Sequence, residues 1–572
     1  MNINLIYFIF FSIFFLLSTL GYGLIFQRFF LKRNFFSNLA LSGIFGLFTL
    51  YIISSISHLI FAHNYAHNAI VHVIGITSFL YFNLTKQVNK KQSILIFIFF
   101  LILFTGFLIS KTNEDFPYYH FPNSLQFAEQ KLQFGLGNLN HGFKHFSSLF
   151  LVNSLFYFPV IKYYLFNITN FLFQIFFFSG LFIYLDQKKF DNFSNVLISF
   201  TIIIYLTKFN RLSEYGADMA GQFLVLLSFI LCTSLISIYK KNKNEINELF
   251  SIIIYLNLFA FTTKFVYLIY ILIPFSISLF ILNFKILSKE LLNFKFLFLS
   301  FFCVLSLIFF NFSSTGCLIY PIESTCFSGQ FDWALKTKTV EYLNFHYEVW
   351  AKAGKGAGYS LENLEEYVKG LNWLPSWINL YFFNKVSDYI LLILFILIIF
   401  YLTFFTEIKN SVLKETLKFK FFSLNYLMII IIFLVWFLNF PTLRYAGYSI
   451  VFLLIMFPAS YFLSKKLNFS DKKVIKKFKF LIIISFVIFN VRNINRINSE
   501  LSLNEKQNHN FNNFPFYWID EVNYEDIKVD DIKVYKVKNG KMCWNTPSPC
   551  VRSISNLQIK QKNGYLFYST KK

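Results

Sequence analysis

Residues 111–161 read KTNEDFPYYHFPNSLQFAEQKLQFGLGNLNHGFKHFSSLFLVNSLFYFPVI. Four apolar runs precede this stretch, and many more follow it. It opens with the acidic pair Glu114 and Asp115, continues through histidines at 120, 141 and 145, and ends in an apolar piece interrupted by serine and asparagine. The pattern indicates a polar loop presented by a membrane scaffold, and we call residues 111–161 the acidic loop.

The composition excludes a soluble protein. Of the 572 residues, 56% are hydrophobic and 14% are charged, and the mean hydropathy is +0.54. A soluble domain of this length has no interior large enough for so much apolar surface, so lipid must be its solvent. A net charge of +23 would suggest nucleic acid as a partner of a soluble protein. Here the basic residues lie in short loops between apolar runs, so the positive-inside rule explains them better, and we expect no nucleic acid partner.

The apolar runs predict an all-α polytopic membrane protein with about fourteen transmembrane helices, at roughly twenty residues per span. The first run is too long for a signal-peptide core and lacks a basic start, so we expect a retained anchor. Runs of sufficient length lie near residues 3–26, 38–62, 68–85, 93–110, 163–185, 192–207, 219–238, 248–263, 265–284, 295–311, 388–406, 422–439, 446–464 and 478–491.

Clusters of Lys and Arg follow alternate runs and predict which loops are cytoplasmic. The predicted spans alternate correctly between the two sides only if residues 147–160 do not cross, so we expect an interfacial helix there. It either offers a docking surface for a lipid chain or only anchors the loop in the membrane. The acidic loop, segment 312–387 and everything after about Val491 are then extracytoplasmic. We expect a bacterial inner (cytoplasmic) membrane protein with its active site on the periplasmic side.

Four regions follow from this topology. Residues 1–110 form N-terminal transmembrane helices, and residues 111–161 form the acidic loop with its in-plane helix. Residues 162–491 form the transmembrane core, which includes the loop 312–387. Residues 492–572 form a small extracytoplasmic C-terminal domain. The alternation of apolar and polar residues in DIKVYKV and GYLFYST predicts strands in this domain.

The cysteines agree with an oxidising outer side. Two pairs are close in sequence on that side, and we expect the disulfides Cys317–Cys326 and Cys543–Cys550.

Asp115 is our candidate general base, with Glu114 as its helper or as the alternative base. The pair directly follows an apolar run and precedes Pro117 and the aromatic residues Tyr118, Tyr119 and His120. A stiff, aromatic-walled turn of this kind is suited to positioning a sugar and excluding water. Glycosyl transfer needs a carboxylate that takes the proton of the acceptor hydroxyl while positive charge develops at the anomeric carbon.

The order of these features resembles the C-type (GT-C) superfamily of membrane glycosyltransferases, which includes protein O-mannosyltransferases and lipid A aminoarabinose transferases. The motifs NEDFPYYHFPNSL, FGLGNLNHGF, RLSEYGADMAGQ, GCLIYP and CWNTPSPC are similar to those of a bacterial subgroup of GT-C-like proteins. The resemblance implies an inverting transfer from a polyprenyl-phosphate sugar to a lipid, glycan or protein acceptor, with the acid of the loop as base. One departure is that about three additional helices precede the loop.

A lipid phosphate leaving group requires cations at the outer membrane surface. Lys264 is the most informative candidate, because a lone lysine between apolar runs is costly unless it faces a cavity or a partner. Arg444 and Arg211 are the other candidates, with snorkelling to the interface as their alternative role. We expect contacts to the sugar or acceptor from Tyr118, Tyr119, His120, Asn138, His141, Glu214 and Asp218, although Glu214 and Asp218 could instead pair with Arg211.

Histidine pairs at 63/67 and 141/145 have the i, i+4 spacing of metal ligands, so a divalent metal ion stays open as a cofactor.

Two other function classes compete with the glycosyltransferase. An O-antigen-type polysaccharide polymerase or ligase would use Arg and His of a large late loop, but segment 312–387 contains His346, four central lysines and no Arg. A transporter or flippase would show charged or broken helices at mid-membrane and a repeated half, and the sequence shows neither clearly.

Overall fold

The structure, a computed structural model, is mostly helical and carries a small strand region at the C-terminal end. It describes residues 5–31, 38–108, 115–186, 191–210, 216–238, 243–281, 291–356, 358–409, 419–469, 471–507, 522–538, 542–551, 554 and 556–570. The predicted helical fold and the predicted strands near the C-terminal end are therefore confirmed.

The helices of the first half follow the apolar runs closely. Asparagine side chains at 38, 64 and 89 and the carboxylate of Asp191 cap four of them by accepting hydrogen bonds from first-turn N–H groups, which fixes where each helix begins. These helices are α1 (Leu5–Phe30), α2 (Leu39–Ser57), α3 (Tyr65–Leu84), α4 (Lys90–Phe107), α5 (Phe121–Glu129), α6 (Ser148–Ser154), α7 (Ile168–Asp186), α8 (Asn192–Lys208), α9 (Ala217–Ile238) and α10 (Lys243–Thr263).

The second half contains both long helices and short helical turns. The α-helices are α11 (Leu272–Ile281), α12 (Phe294–Thr315), α13 (Thr337–Ala351), α14 (Leu364–Tyr367), α15 (Leu374–Trp377), α16 (Ser387–Thr403), α17 (Phe405–Lys409), α18 (Phe419–Asn439), α19 (Tyr448–Lys466) and α20 (Lys472–Gln507). Tighter 3-10 turns occur at Leu136–Asn138, His141–Lys144, Phe265–Ile271 and Glu323–Thr325, and wider π-helical turns occur at Phe116–His120, Ile378–Val386 and Leu443–Gly447.

Ten helices of the described residues are long and apolar enough to cross a membrane. The count of about fourteen stays a prediction, although α3, α8 and α20 also lie on predicted spans. The ten are Leu5–Phe30, Leu39–Ser57, Lys90–Phe107, Ile168–Asp186, Ala217–Leu235, Ile246–Thr263, Phe294–Thr315, Leu374–Thr403, Phe419–Asn439 and Leu443–Lys466.

The C-terminal strands form two small sheets. Strands β3 (Tyr524–Val529) and β4 (Ile532–Val537) pair antiparallel, and β5 (Cys550–Val551) adds parallel to β4. Strands β6 (Leu557–Lys562) and β7 (Tyr565–Thr570) form a separate antiparallel hairpin, and β1 (Lys355–Gly356) pairs with β2 (Tyr359–Ser360) in the loop 312–387. We call residues 522–570 the cap.

The segments predicted to be extracytoplasmic contact one another. The backbone N–H groups of Trp544 and Ser548 in the cap donate to the Pro117 carbonyl (3.3 Å) and the Glu129 carboxylate (2.7 Å) of the acidic loop. A bridge between Phe134 and Phe567 joins the same two parts. The cap is therefore held on the acidic loop.

The helix α20 runs continuously across residue 492, so the predicted boundary between core and C-terminal region falls inside one helix.

The expectation for residues 147–160 is wrong in one respect. An interfacial helix that docks lipid would leave one face exposed, but the helix here is only Ser148–Ser154, and Leu149, Phe150, Leu151 and Val152 are at most 3% exposed. The segment packs between α2, α5, α7 and α10. The helix therefore forms protein core, and the exposed residues of the segment are Pro159 and Val160 at its end.

Helices α1, α2 and α3 pack through small residues, as membrane helices commonly do. A Cβ atom added to Gly46 of α2 would lie 1.9 Å from the carbonyl oxygen of Thr19 in α1, and one added to Gly21 would lie equally close to the carbonyl of Gly75 in α3. The three backbones therefore approach too closely for any side chain at these points.

We expect Gly46→Leu to destabilise the protein by roughly 3 kcal/mol, because the new side chain meets backbone that cannot rotate away. The measurement is the apparent melting temperature of the detergent-purified protein. Thr77→Leu, on the exposed side of α3, is the matched control and should melt like the wild type. An unchanged melting temperature for Gly46→Leu would contradict this packing.

Candidate functional site

Four charged side chains meet where helices begin, end or break. Asp115 immediately precedes the π-helical turn Phe116–His120, and Asp218 lies in the first turn of α9. Lys264 lies between α10 and the 3-10 turn that follows it, and Arg444 lies in the turn Leu443–Gly447 before α19. We call these four residues the charge quartet.

Arg444 and Asp218 link the quartet. The guanidinium of Arg444 contacts both carboxylates, with Nη2 2.6 Å from Asp115 Oδ2 and Nε 2.9 Å from Asp218 Oδ2. The second oxygen of Asp218 accepts a hydrogen bond from Lys264 Nζ. Asp218 is buried, with a 2% exposed side chain, whereas Lys264, Asp115 and Arg444 are 25%, 30% and 39% exposed. A buried anion therefore anchors three groups that reach the surface.

An unusual backbone turn places Arg444. Ala446 adopts φ +66°, a left-handed conformation that costs a non-glycine residue about 1–2 kcal/mol. Two tyrosines hold the turn: the Tyr270 hydroxyl donates to the Ala446 carbonyl (2.9 Å), and the Leu443 N–H donates to the Tyr381 hydroxyl (2.8 Å). The strain and its support are both concentrated where the guanidinium enters the quartet.

A second set of tyrosines supports Asp218 and Lys264. The Tyr267 hydroxyl donates to the backbone carbonyl of Asp218 (2.9 Å), which fixes the start of α9. The Lys264 ammonium lies 4.6 Å from the centre of the Tyr445 ring, a cation–π contact that adds to its pairing with Asp218. The quartet is thus enclosed by aromatic rings on its protein side.

The ion pair controls the basicity of Asp115. Burial alone would raise the pKa of this carboxyl, but the Arg444 guanidinium and the neighbouring His120 hold the pKa below its usual value. While Asp115 is paired with Arg444 it is therefore a weak base.

His120 lies buried beside the quartet. Burial lowers its pKa to about 4, although Asp115 acts in the opposite direction, so the ring is neutral at pH 7. Its Nδ1 has no hydrogen-bond partner among the described residues and borders a small cavity that is also lined by Ser124, Asn153 and Asn170. Gly216 is required here, because a Cβ atom would lie 2.2 Å from the His120 ring.

A tyrosine from the loop 312–387 joins two histidines of the acidic loop. The hydroxyl of Tyr347 lies 3.2 Å from His141 Nε2, 3.1 Å from His145 Nε2 and 3.0 Å from the Tyr320 hydroxyl. The Tyr118 ring stacks on His141, and the Tyr119 ring lies 5.6 Å from that of His145. The predicted aromatic wall therefore exists and includes residues of both loops.

The remaining predicted residues divide into three groups. The Asn138 side chain donates to the backbone carbonyls of Trp333 (2.8 Å) and Tyr568 (3.0 Å). Its amide therefore connects the acidic loop to the loop 312–387 and to the cap. The structure joins Cys317 to Cys326 and Cys543 to Cys550. Glu114, Arg211 and Glu214 lie outside the described residues.

Within the described part of the chain, neither histidine pair belongs to a group of side chains that could hold a metal ion. Among the residues that the structure describes, no group of three or more His, Cys, Asp or Glu side chains could hold a metal ion. His63 bonds the hydroxyls of Ser154 (2.6 Å) and Ser57 (3.1 Å), and one tyrosine hydroxyl lies between His141 and His145. The described side chains therefore do not fit the divalent ion left open by the sequence.

Sequence reasoning missed several residues of the site. Tyr445 and Tyr347 were not singled out, and Asp218 was placed with acceptor hydroxyls or Arg211 instead of Lys264 and Arg444. For Tyr445 a signal existed, since it adjoins Arg444 in the motif LRYAGY. No local signal pointed to Tyr347, because its two histidine partners lie about 200 residues earlier in the chain.

A family model described as "Domain of unknown function (DUF8201)" matches residues 5–452, so the chain belongs to that family. The match covers the acidic loop and all four residues of the quartet. The comparison with curated proteins found no match, and neither did the comparison with solved structures.

We expect Asp218→Asn to cost about 3–5 kcal/mol of folding free energy, because it leaves Lys264 and Arg444 without their buried counter-charge. The double variant Asp218→Asn/Lys264→Met should recover part of that loss by removing one unpaired cation. Chemical or thermal unfolding in detergent measures both. A single variant that unfolds like the wild type would show that the quartet does not hold these helices together.

Acidification should destabilise the protein between about pH 6.5 and 4. Burial lowers the pKa values of His120 and His145 to about 4 in the folded protein, whereas the unfolded chain takes up protons near pH 6.5. The unfolded state therefore binds more protons in that range, and stability rises with pH. Melting temperatures at pH 7.5 and 5 measure the effect, and His145→Gln should lessen the difference. Equal melting temperatures for the wild type would contradict the neutral, buried histidines.

Proposed function

We propose that this member of the DUF8201 family is a membrane glycosyltransferase of the GT-C type, which transfers a sugar from a polyprenyl-phosphate donor to an extracytoplasmic lipid, glycan or protein. The observation that carries the proposal is the charge quartet. It brings the candidate base Asp115 within 2.6 Å of a guanidinium, and Asp218 connects that guanidinium to Lys264. These are the parts required by an inverting transfer from a phosphate leaving group.

In this reaction an acceptor hydroxyl oxygen attacks the anomeric carbon of the donor sugar. The bond between that carbon and the phosphate oxygen breaks, and its electron pair stays on the phosphate. Asp115 takes the hydroxyl proton. Arg444 and Lys264 bind the phosphate as its negative charge increases, which stabilises the transition state more than the ground state.

Charge balance gives the order of events. The two cations and two anions of the quartet cancel, so a phosphodiester gains little from the intact quartet. Binding is favourable when the phosphate replaces Asp115 as the partner of Arg444. That exchange removes the interaction that lowers the pKa of Asp115, and the carboxylate becomes a stronger base only when donor is present. Asp218 remains paired with Lys264 throughout and preserves the position of α9.

The aromatic wall provides the sugar subsite in this proposal. Rings of Tyr118, Tyr119 and Tyr347 present apolar faces and hydroxyls, and the neutral histidines His120 and His141 can exchange hydrogen bonds with sugar hydroxyls without adding charge. This pattern is suited to a neutral polyol whose orientation must be fixed next to an ion pair. Glu114, beside Asp115 in sequence, is the alternative base.

A flippase for lipid-linked glycans is a second candidate, favoured by the broken helices. Lys264 follows a break between α10 and the next turn, and Arg444 lies in a turn where Tyr445 and Ala446 leave helical geometry. Charges at broken helices are typical of transport sites.

The test uses Asp115→Asn and Glu114→Gln in cells, with Glu365→Gln, an exposed carboxylate of the loop 312–387, as the matched control. For the glycosyltransferase, Asp115→Asn should reduce transfer at least about 100-fold with the protein still folded, and lipid-linked sugar should accumulate in the outer leaflet. Accumulation in the inner leaflet would instead support the flippase. Unchanged surface glycans in both variants and in Lys264→Ala would overturn the assignment of this site.

A further inference from the structure

A second polar site lies at the ends of α7, α8 and α20, away from the charge quartet. A cavity of about 250 Å³ opens there between the three helices. Its walls are apolar and include Phe182 and Leu185 of α7 and Phe478 and Ile482 of α20. The charge distribution predicts that this end of the helices is cytoplasmic.

Polar side chains also line the cavity. They include the amides of Asn192, Asn195 and Asn468, the carboxylate of Asp186 and the ammonium of Lys479. Asn192 and Asn468 belong to two chain segments that are joined there, since the Asn192 side chain accepts a hydrogen bond from the backbone N–H of Phe469 (3.1 Å). A cavity lined by both apolar and polar side chains fits an amphiphile.

A basic groove continues directly from the cavity. Lys472, Lys476 and Lys479 line it together with Ile475, Phe480 and Ile483, and it shares Ile475 and Lys479 with the cavity. Because the three lysines are spaced by four and three residues on one helix, they lie on one face of α20. We call the cavity and this groove together the basic slot.

The nearby acids leave these three lysines in excess. Glu407 pairs with Lys477 at 2.8 Å, and Asp471 accepts from the backbone N–H of Lys473 at 2.8 Å as a helix cap. Asp186 and Lys479 both line the cavity. Residues 465–479 contain seven lysines and one acid, so the slot attracts anions.

The helix continues from the lysines into an apolar surface. Phe480, Ile483 and Val487 are 60%, 60% and 56% exposed, which is a surface for acyl chains. Cations directly above such a surface face the phosphate level of a bilayer, where each lysine near anionic lipid contributes about 1 kcal/mol to binding.

We propose that the basic slot is a binding site for an anionic phospholipid of the membrane, such as phosphatidylglycerol. The lysines of α20 bind its phosphate. The amides exchange hydrogen bonds with the headgroup hydroxyls, the Asp186 carboxylate accepts hydrogen bonds from them, and the apolar wall contacts an acyl chain. The site requires no glycosyl transfer and is independent of the proposed function.

The test compares phospholipid that remains bound to the full-length protein purified in detergent, measured by native mass spectrometry. Phosphatidylglycerol should be enriched over phosphatidylethanolamine relative to the membrane. The triple variant Lys472→Gln/Lys476→Gln/Lys479→Gln should bind it more weakly by roughly fivefold per lysine. The matched control Lys338→Gln/Lys369→Gln/Lys385→Gln removes the same charge from exposed positions of the loop 312–387 and should bind like the wild type.

A measurement on the wild type alone keeps the proposal testable if the triple variant fails to fold. Short-chain phosphatidylglycerol should raise the melting temperature by several degrees, whereas phosphatidylcholine and inorganic phosphate should not. Equal stabilisation by inorganic phosphate would show an anion site without lipid specificity and overturn the proposal. Equal loss of lipid in the triple variant and the control would overturn it as well, because overall charge would then explain the binding.

Discussion

A single buried carboxylate, Asp218, constrains the centre of this molecule. An ion in such surroundings is tolerated only with partners in good geometry, and Asp218 has two. Lys264 and Arg444 lie 46 and 226 residues away in sequence, so satisfying one charge fixes the ends of α9, α10 and the turn before α19 relative to one another. Arg444 then extends this constraint to Asp115, which brings the acidic loop to the same place.

The parts outside the helices are built around that point. The acidic loop contributes Asp115 to the quartet, the loop 312–387 contacts the acidic loop through Tyr347 and His141, and the cap contacts the acidic loop through Ser548 and Glu129. The left-handed backbone at Ala446 shapes the turn that places the Arg444 guanidinium, and tyrosines from two other elements hold that turn. Strain concentrated at a charged turn is typical of a functional site.

The sequence was informative where a residue was costly in its local surroundings. Lys264 and Arg444 could be selected because charges among apolar residues need partners, and the strands of the cap followed from alternation. The partners themselves could not be predicted, since they are distant in the chain. The segment 147–160 was interpreted wrongly for a different reason. Its serines suggested contact with water at the membrane interface, but they form hydrogen bonds inside the protein, Ser148 with Thr262 (3.1 Å) and Ser154 with His63 (2.6 Å). A polar residue in an apolar segment does not reveal whether water or protein provides its partner.

The length of α20 has a consequence for how much of the helix a bilayer could cover. Its 36 residues extend about 54 Å, whereas the hydrocarbon of a bilayer is about 30 Å thick. A single crossing by a helix of this length leaves about 24 Å of it, several turns, outside the hydrocarbon.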